Sequence, residues 1–109
     1  MTELQPNEIL WEAATPLGFR VRVTRDYWRA IVTVKHPVMA SRELAVQSAI
    51  SAPDEVRRSR IDPRVYLFYK LDPPGRWICA LAKQVDGEGF LITTYPTDVI
   101  KEGERIWPK

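Results

Sequence analysis

Residues 34–40 read VKHPVMA and hold the only histidine of the chain, His36, directly before a proline. Few other groups could move protons or hold an anion. They are Arg57, Arg58, Arg60 and Arg64, with Asp62 the one opposing acid between Val56 and Val65; Lys70; the phenols of Tyr66, Tyr69 and Tyr95; and the hydroxyls of TTYPT at 93–97. This set suits one reaction that needs no metal. RNA carries its own nucleophile, the 2′-hydroxyl. A protein can cleave it by removing that proton, stabilising the phosphorane with Arg or Lys, and protonating the 5′-oxygen. An imidazole can serve as base or acid, a guanidinium fork matches phosphate, and Tyr or Thr can orient or donate. Aromatic side chains on an open sheet face can also stack unpaired bases.

Each residue has an ordinary structural use as well. A cluster of arginines is usually a solvated surface. A histidine before proline can simply end a helix. Tyr66 and Tyr69 lie an odd number apart and face opposite sides of a strand, so one belongs to the core. Thr93, Thr94 and Thr97 suit a strand followed by a helix cap. Trp28, Trp77 and Trp107 suit core or edge packing, and Cys79, in an apolar stretch, reads as a small buried hydrophobe.

Other chemistries lack their signatures: the sequence has no Gly-rich phosphate loop, HExxH, CxxC or GxSxG. One His and one Cys cannot build a transition-metal site unaided, so neither a metal nor a cofactor is expected. The single cysteine excludes an internal disulfide. No apolar run approaches the ~18 residues of a membrane span, and MTELQPNE lacks the basic-then-apolar order of a signal peptide. The expected location is the cytoplasm, with no membrane partner. With 109 residues, 45% hydrophobic and 28% charged, the chain is expected to form one domain, 1–109, in which 1–7 are flexible. Eleven of the sixteen basic residues are Arg, yet the net charge is only +2, and DNA is not an expected partner.

The elements that must position these groups follow from periodicity. Segments 8–14 and 18–24 flank the break Thr15-Pro16-Leu17-Gly18, and Phe19, Val21 and Val23 alternate with polar residues, which predicts a two-stranded ribbon. Trp28, Ile31 and Val32 predict a helix over 26–35, with Thr24 or Asp26 near its cap. Pro37 disfavours helical geometry at His36, which places the imidazole at the helix end. Ser41 is a candidate cap for a second helix, 42–51, with Val46, Ala49 and Ile50 as its apolar stripe and Pro53 closing it. Segments 55–61, 64–71, 76–84 and 89–95 read as strands. Asp62-Pro63, Asp72-Pro73-Pro74-Gly75 and Asp86-Gly87-Glu88 are short links that force antiparallel neighbours. A last helical turn over 98–102, capped by Thr97, stops at Gly103. The predicted fold is α+β: an N-terminal β-ribbon, two helices, then a four-stranded antiparallel meander with one face free for binding.

Taken together, W-x7-H-P at 28–37, P-D-E-V-R-x-S at 53–59, V-Y-L-F-Y-K at 65–70 and I-T-T-Y-P-T-D-x-I-K-x-G at 92–103 are more specific than any one alone. Over about residues 18–107 the chain resembles the small bacterial proteins of the phage-associated barnase–EndoU–colicin–RelE-like nuclease group and neighbouring families of unknown function. The resemblance implies a RelE-like fold and, often, the role of toxin in a toxin–antitoxin pair. On it, His36 is the helix-end histidine, Arg57 the arginine after the Pro-Asp turn, followed by Ser59, Tyr69 the aromatic of the second sheet strand, and Thr94 or Thr97 the hydroxyl of the last strand and turn. The chain departs from the pattern in charge: RelE-like ribosome-dependent toxins are usually strongly basic. That bears against ribosome binding more than against RNA cleavage.

The expectation is therefore a metal-independent endoribonuclease, the toxin of a toxin–antitoxin pair, cleaving RNA by 2′-hydroxyl attack. Its expected catalytic residues are His36, Arg57, Tyr69 and Thr94. Its expected substrate-binding residues are Arg58, Arg60, Lys70, Thr97 and Lys101, and its partners RNA and an antitoxin protein. The alternative is a non-catalytic RNA- or protein-binding module on the same scaffold. Under the first reading His36, Arg57 and Arg60 converge on one open face or its rim.

Overall fold

The β-branched and aromatic runs of the chain form one sheet. In the computed structural model, which describes residues 8–100 and 102–109, the strands are β1 (Ile9–Ala14), β2 (Arg20–Thr24), β3 (Glu55–Arg58), β4 (Val65–Asp72), β5 (Arg76–Val85), β6 (Glu88–Thr97) and β7 (Glu104–Trp107). They lie in the order β1-β2-β6-β5-β4-β3-β7. The predicted flexibility of 1–7 falls outside the described residues, as does Lys101.

The α+β class holds, but the expected separate ribbon and four-stranded meander do not describe this sheet. β3 to β6 are antiparallel neighbours in chain order, and two further junctions extend them into seven mixed strands. β2 runs parallel to β6, pairing Val21 with Gly89 and Arg22 with Phe90. Gly89 makes this approach feasible: a Cβ there would lie 2.7 Å from the Arg20 carbonyl oxygen and 3.0 Å from the Phe19 ring. The tail forms β7, antiparallel to β3. It turns in at Gly103, whose φ is +83° and whose Cβ, if present, would sit 2.6 Å from the Arg58 carbonyl oxygen.

Helix α1 (Arg25–Ala30) starts at Thr24, whose hydroxyl accepts from the Tyr27 amide at 3.2 Å. The predicted helix over 26–35 does not stay α-helical. From Ile31 to Lys35 it widens to a π-helical turn, closed by the His36 amide on the Ile31 carbonyl at 2.8 Å. The run Ile-Val-Thr-Val supplies four consecutive β-branched side chains, which crowd an α-helical turn. A 3₁₀ turn, Pro37–Met39, follows. Helix α2 (Glu43–Ser51) buries Val46, Ala49 and Ile50, the predicted stripe. Ser41 is not its cap; it adopts a left-handed φ of 66°, and Arg42 takes the cap position without a side-chain bond. Arg42 instead donates to both carboxylate oxygens of Asp72, at 3.1 and 3.2 Å, tying α2 to the β4–β5 turn.

The helices cover one face. Trp28, Ile31, Met39, Val46 and Ile50 pack on Val21, Val56, Phe68, Ile78 and Leu91 of the strands. Phe68 is fully buried there, and its truncation to Ala would cost about 3–5 kcal/mol. The other face carries a smaller cluster: Leu67, Tyr69 and Cys79, bordered by Trp77, Leu81, Tyr95 and Ile100. No helix among the described residues is long and apolar enough to cross a membrane.

Candidate functional site

Cross-strand partners share a face, so register decides which polar groups meet. On the face away from the helices one row reads Glu55, Tyr69, Cys79, Tyr95 across β3, β4, β5 and β6. Its neighbour reads Arg105, Arg57, Leu67, Leu81, Thr93 across β7 to β6. The polar row ends at His36, whose ring centroid lies 5.5 Å from that of Tyr95 at an interplanar angle of 41°. The imidazole is half-buried and makes no hydrogen bond among the described residues.

Tyr95 occupies this row because of a β-bulge. Ala82 pairs with Leu91 but Leu81 pairs with Thr93, so Ile92 is the extra residue. A one-residue slip moves every following side chain to the other face. Without the bulge, Thr94 would sit opposite Cys79. With it, Thr94 turns to the helix side, is fully buried, and donates its hydroxyl to the Cys79 carbonyl at 2.8 Å. Thr94 is thus a structural residue and not part of the open site.

Tyr69, Tyr95, Thr97, Val99 and Glu102 line a cavity of about 190 Å³. Burial pushes both phenols up from their ordinary 10.0, with the neighbouring Cys79 and Glu102 acting in the same direction. They are neutral hydrogen-bond donors at any physiological pH. The Cys79 thiol, beneath them and fully buried, is pushed up to about 12 by desolvation, the phenols partly offsetting it. It is a packed hydrophobe and not a nucleophile. Thr97 lies at the cavity wall, but its hydroxyl donates to the Val99 carbonyl at 3.0 Å and accepts from the Val99 amide at 3.4 Å. That tight turn replaces the predicted helix over 98–102, none of which is helical among the described residues.

The predicted arginines scatter. Arg57 faces the site, where its Nε donates to Glu55 and its Nη1 to the Gly103 carbonyl at 3.3 Å. Arg58, the next residue along β3, faces the helix side; it stacks 5.3 Å above the Tyr66 ring and donates to its hydroxyl at 3.2 Å. Arg60 is exposed in the 59–64 loop and joins neither. Lys70 is also on the helix side, donating at 2.8 Å to the carbonyl of Ala52, the last cap of α2. Of the expected convergence, then, His36 and Arg57 share a face but Arg60 does not. They are not adjacent either: β3 and β6 are three strand spacings apart, roughly 14 Å.

Sequence reasoning passed over Glu55 and Glu102 and left Tyr95 out of the site. The hairpin at Asp72–Arg76 aligns Tyr69 with Cys79, a pairing readable from the turn, but nothing local marked the bulge that brings Tyr95 alongside. Among the described residues no three His, Cys, Asp or Glu side chains cluster to hold a metal ion.

No family model, curated protein or solved structure matches this chain.

Proposed function

We propose that the protein is a metal-independent endoribonuclease that cleaves single-stranded RNA by 2′-hydroxyl attack, with its reaction centre at His36 and Tyr95. The observation that carries this reading is the contact of the chain's one imidazole with the ring of Tyr95, a residue that also lines the cavity on the sheet face away from the helices. His36 moves the proton, as base on the 2′-hydroxyl or acid on the 5′-oxygen. The Tyr95 phenol, held neutral, donates to the phosphorane, and Tyr69, buried beside Cys79, holds the row in place. Arg57, fixed by Glu55 and Gly103, is too far to share that phosphate and instead grips one further along the strand. The sequence resemblance supports the same chemistry and adds the role of toxin, restrained by an antitoxin protein.

A second reading has its own support. Arg57 is paired with Glu55, and Lys35, the residue before His36, sits 5.8 Å from the Tyr27 ring. A face with aromatic platforms and few free cations suits weak single-strand binding without cleavage. End-group analysis separates the two: a nuclease leaves a new 2′,3′-cyclic phosphate, and a binding module leaves the RNA intact.

A further inference from the structure

A cavity of about 360 Å³ opens on the other side of the sheet, the side to which Arg58 turns. Its polar wall is Arg58, Tyr66 and Gln84, and its apolar wall is Leu17 and Ile106, both half-buried. Phe19, nearly buried, forms the floor, and the exposed Lys109 stands at the rim. The polar wall is ordered from inside. Arg58 donates through Nη2 to the Tyr66 hydroxyl at 3.2 Å, and that hydroxyl donates to Oε1 of Gln84 at 3.2 Å. Tyr66 is a fixed point for this relay, being only 7% exposed and packed 5.2 Å from the Phe19 ring. The relay uses one of the five guanidinium N–H donors and an acceptor of the Gln84 amide. The remaining donors are unmatched among the described residues. Arg22, Arg42 and Arg57 each pair with a carboxylate, whereas Arg58 has none within ion-pair distance, although the register sets Glu104 opposite it on β7. The Gln84 amide nitrogen likewise meets no acceptor there.

We propose that this cavity binds a small organic carboxylate, its anionic head on the Arg58 fork and the Gln84 amide and its apolar body against Leu17 and Ile106. A wall that offers only donors calls for an acceptor, and the guanidinium calls for a negative one. The planar fork matches a carboxylate through two parallel hydrogen bonds. One guanidinium beside a neutral amide balances one negative charge. A phosphate monoester carries nearly two at neutral pH, and the second would fall to Lys109, a point charge on a flexible stem. The volume lies within the range of small-molecule sites. Tyr66 is a positioning residue here: its ring lies under Arg58, and its hydroxyl orients both donors. The site does not rest on the endoribonuclease reading, because Arg58 and Tyr66 face away from the row that ends at His36.

The test is calorimetric titration of the full chain with benzoate, its neutral isostere benzamide, acetate, which lacks the apolar body, and phenyl phosphate. Benzoate is expected to bind about tenfold or more tightly than benzamide, the scale of a hydrogen bond to a charged group. It is also expected to bind more tightly than acetate and phenyl phosphate, and to shift the side-chain amide signals of Gln84 in the nuclear magnetic resonance spectrum. Arg58→Gln should weaken benzoate about tenfold or more, and Arg58→Lys, which keeps the charge without the fork, should restore only part of the loss. Tyr66→Phe keeps the ring and removes the relay, so it should weaken benzoate while leaving circular dichroism unchanged. His36→Ala should bind benzoate as the wild type does. No benzoate binding, equal binding of benzamide, or affinity that survives Arg58→Gln and Tyr66→Phe overturns the proposal. Loss of binding in His36→Ala overturns it too, since the anion would then lie at the reaction centre. Tighter binding of phenyl phosphate overturns the carboxylate head. A tripeptide with a free terminal leucine carboxylate is the last arm: tighter binding than benzoate would assign the head to a chain terminus and overturn the small-molecule part.

Discussion

The phenols of Tyr69 and Tyr95 and the thiol of Cys79 titrate together in alkali, and the sign of their effect is fixed. All three are raised above their unfolded values, 10.0 for the phenols and 9.0 for the thiol. Below about pH 9 both folded and unfolded chains hold these protons, so the groups add no pH dependence. Above it the unfolded chain releases protons that the folded chain retains, and stability falls as pH rises. Urea midpoints should therefore be level between pH 7 and 8.5 and drop progressively from about pH 9 upward; a midpoint that rises in that range would contradict the burial of the row. For the same reason Cys79 should resist thiol reagents at pH 8 until the protein unfolds. At His36 the expected loss is chemical and not structural: His36→Ala should slow RNA cleavage about 10²–10⁴-fold with an unchanged urea midpoint.

At the scale of elements, the open face is assembled by devices that differ greatly in how readable they are. Alternation of Phe19, Val21 and Val23, the stripe of α2 and the stop at His36-Pro37 are local patterns, and the chain follows them. The parallel β2–β6 junction and the β3–β7 pair are long-range choices that depend on close approach at Gly89 and Gly103, where a glycine in isolation reads only as a turn. The bulge at Ile92 is the sharpest case. It exchanges Thr94 for Tyr95 on the functional face, and a threonine-rich strand carries no mark of where the extra residue falls. Lys70 illustrates the same limit, since its period-two position put it on a strand without saying which face held the helix. Lys70→Met should lower stability by about 1 kcal/mol through the lost bond to Ala52, and leave RNA cleavage unchanged. Gly103→Ala, by contrast, meets the Arg58 backbone and should cost about 1–3 kcal/mol while releasing the Arg57 anchor. Chemical denaturation of the two variants, alongside RNA cleavage assays, separates these roles.

For the whole molecule, net charge is small, and most cations on the open face are paired with carboxylates. Arg57 and, directly across from it on β7, Arg105 lie beside the candidate site; Arg20, Arg22 and Lys83, further along the same face, are paired with Glu12, Glu88 and Asp62. Single-strand affinity falls with log salt at a slope of about −0.7 per phosphate neutralised, so two contacts predict a slope near −1.4. Arg105→Ala should bring it close to −0.7, whereas Arg60→Ala, in the exposed loop, should leave it unmoved. A slope several times steeper would mean that RNA lies on a surface other than this face. The central claim is chemistry at His36, and its most direct measurement is end-group analysis of single-stranded RNA incubated with the purified chain in the presence of a chelator. The account predicts new 2′,3′-cyclic phosphate ends with the wild type and about 10²–10⁴-fold slower formation with folded His36→Asn. Intact RNA with the wild type, or equal rates for the two proteins, would contradict it.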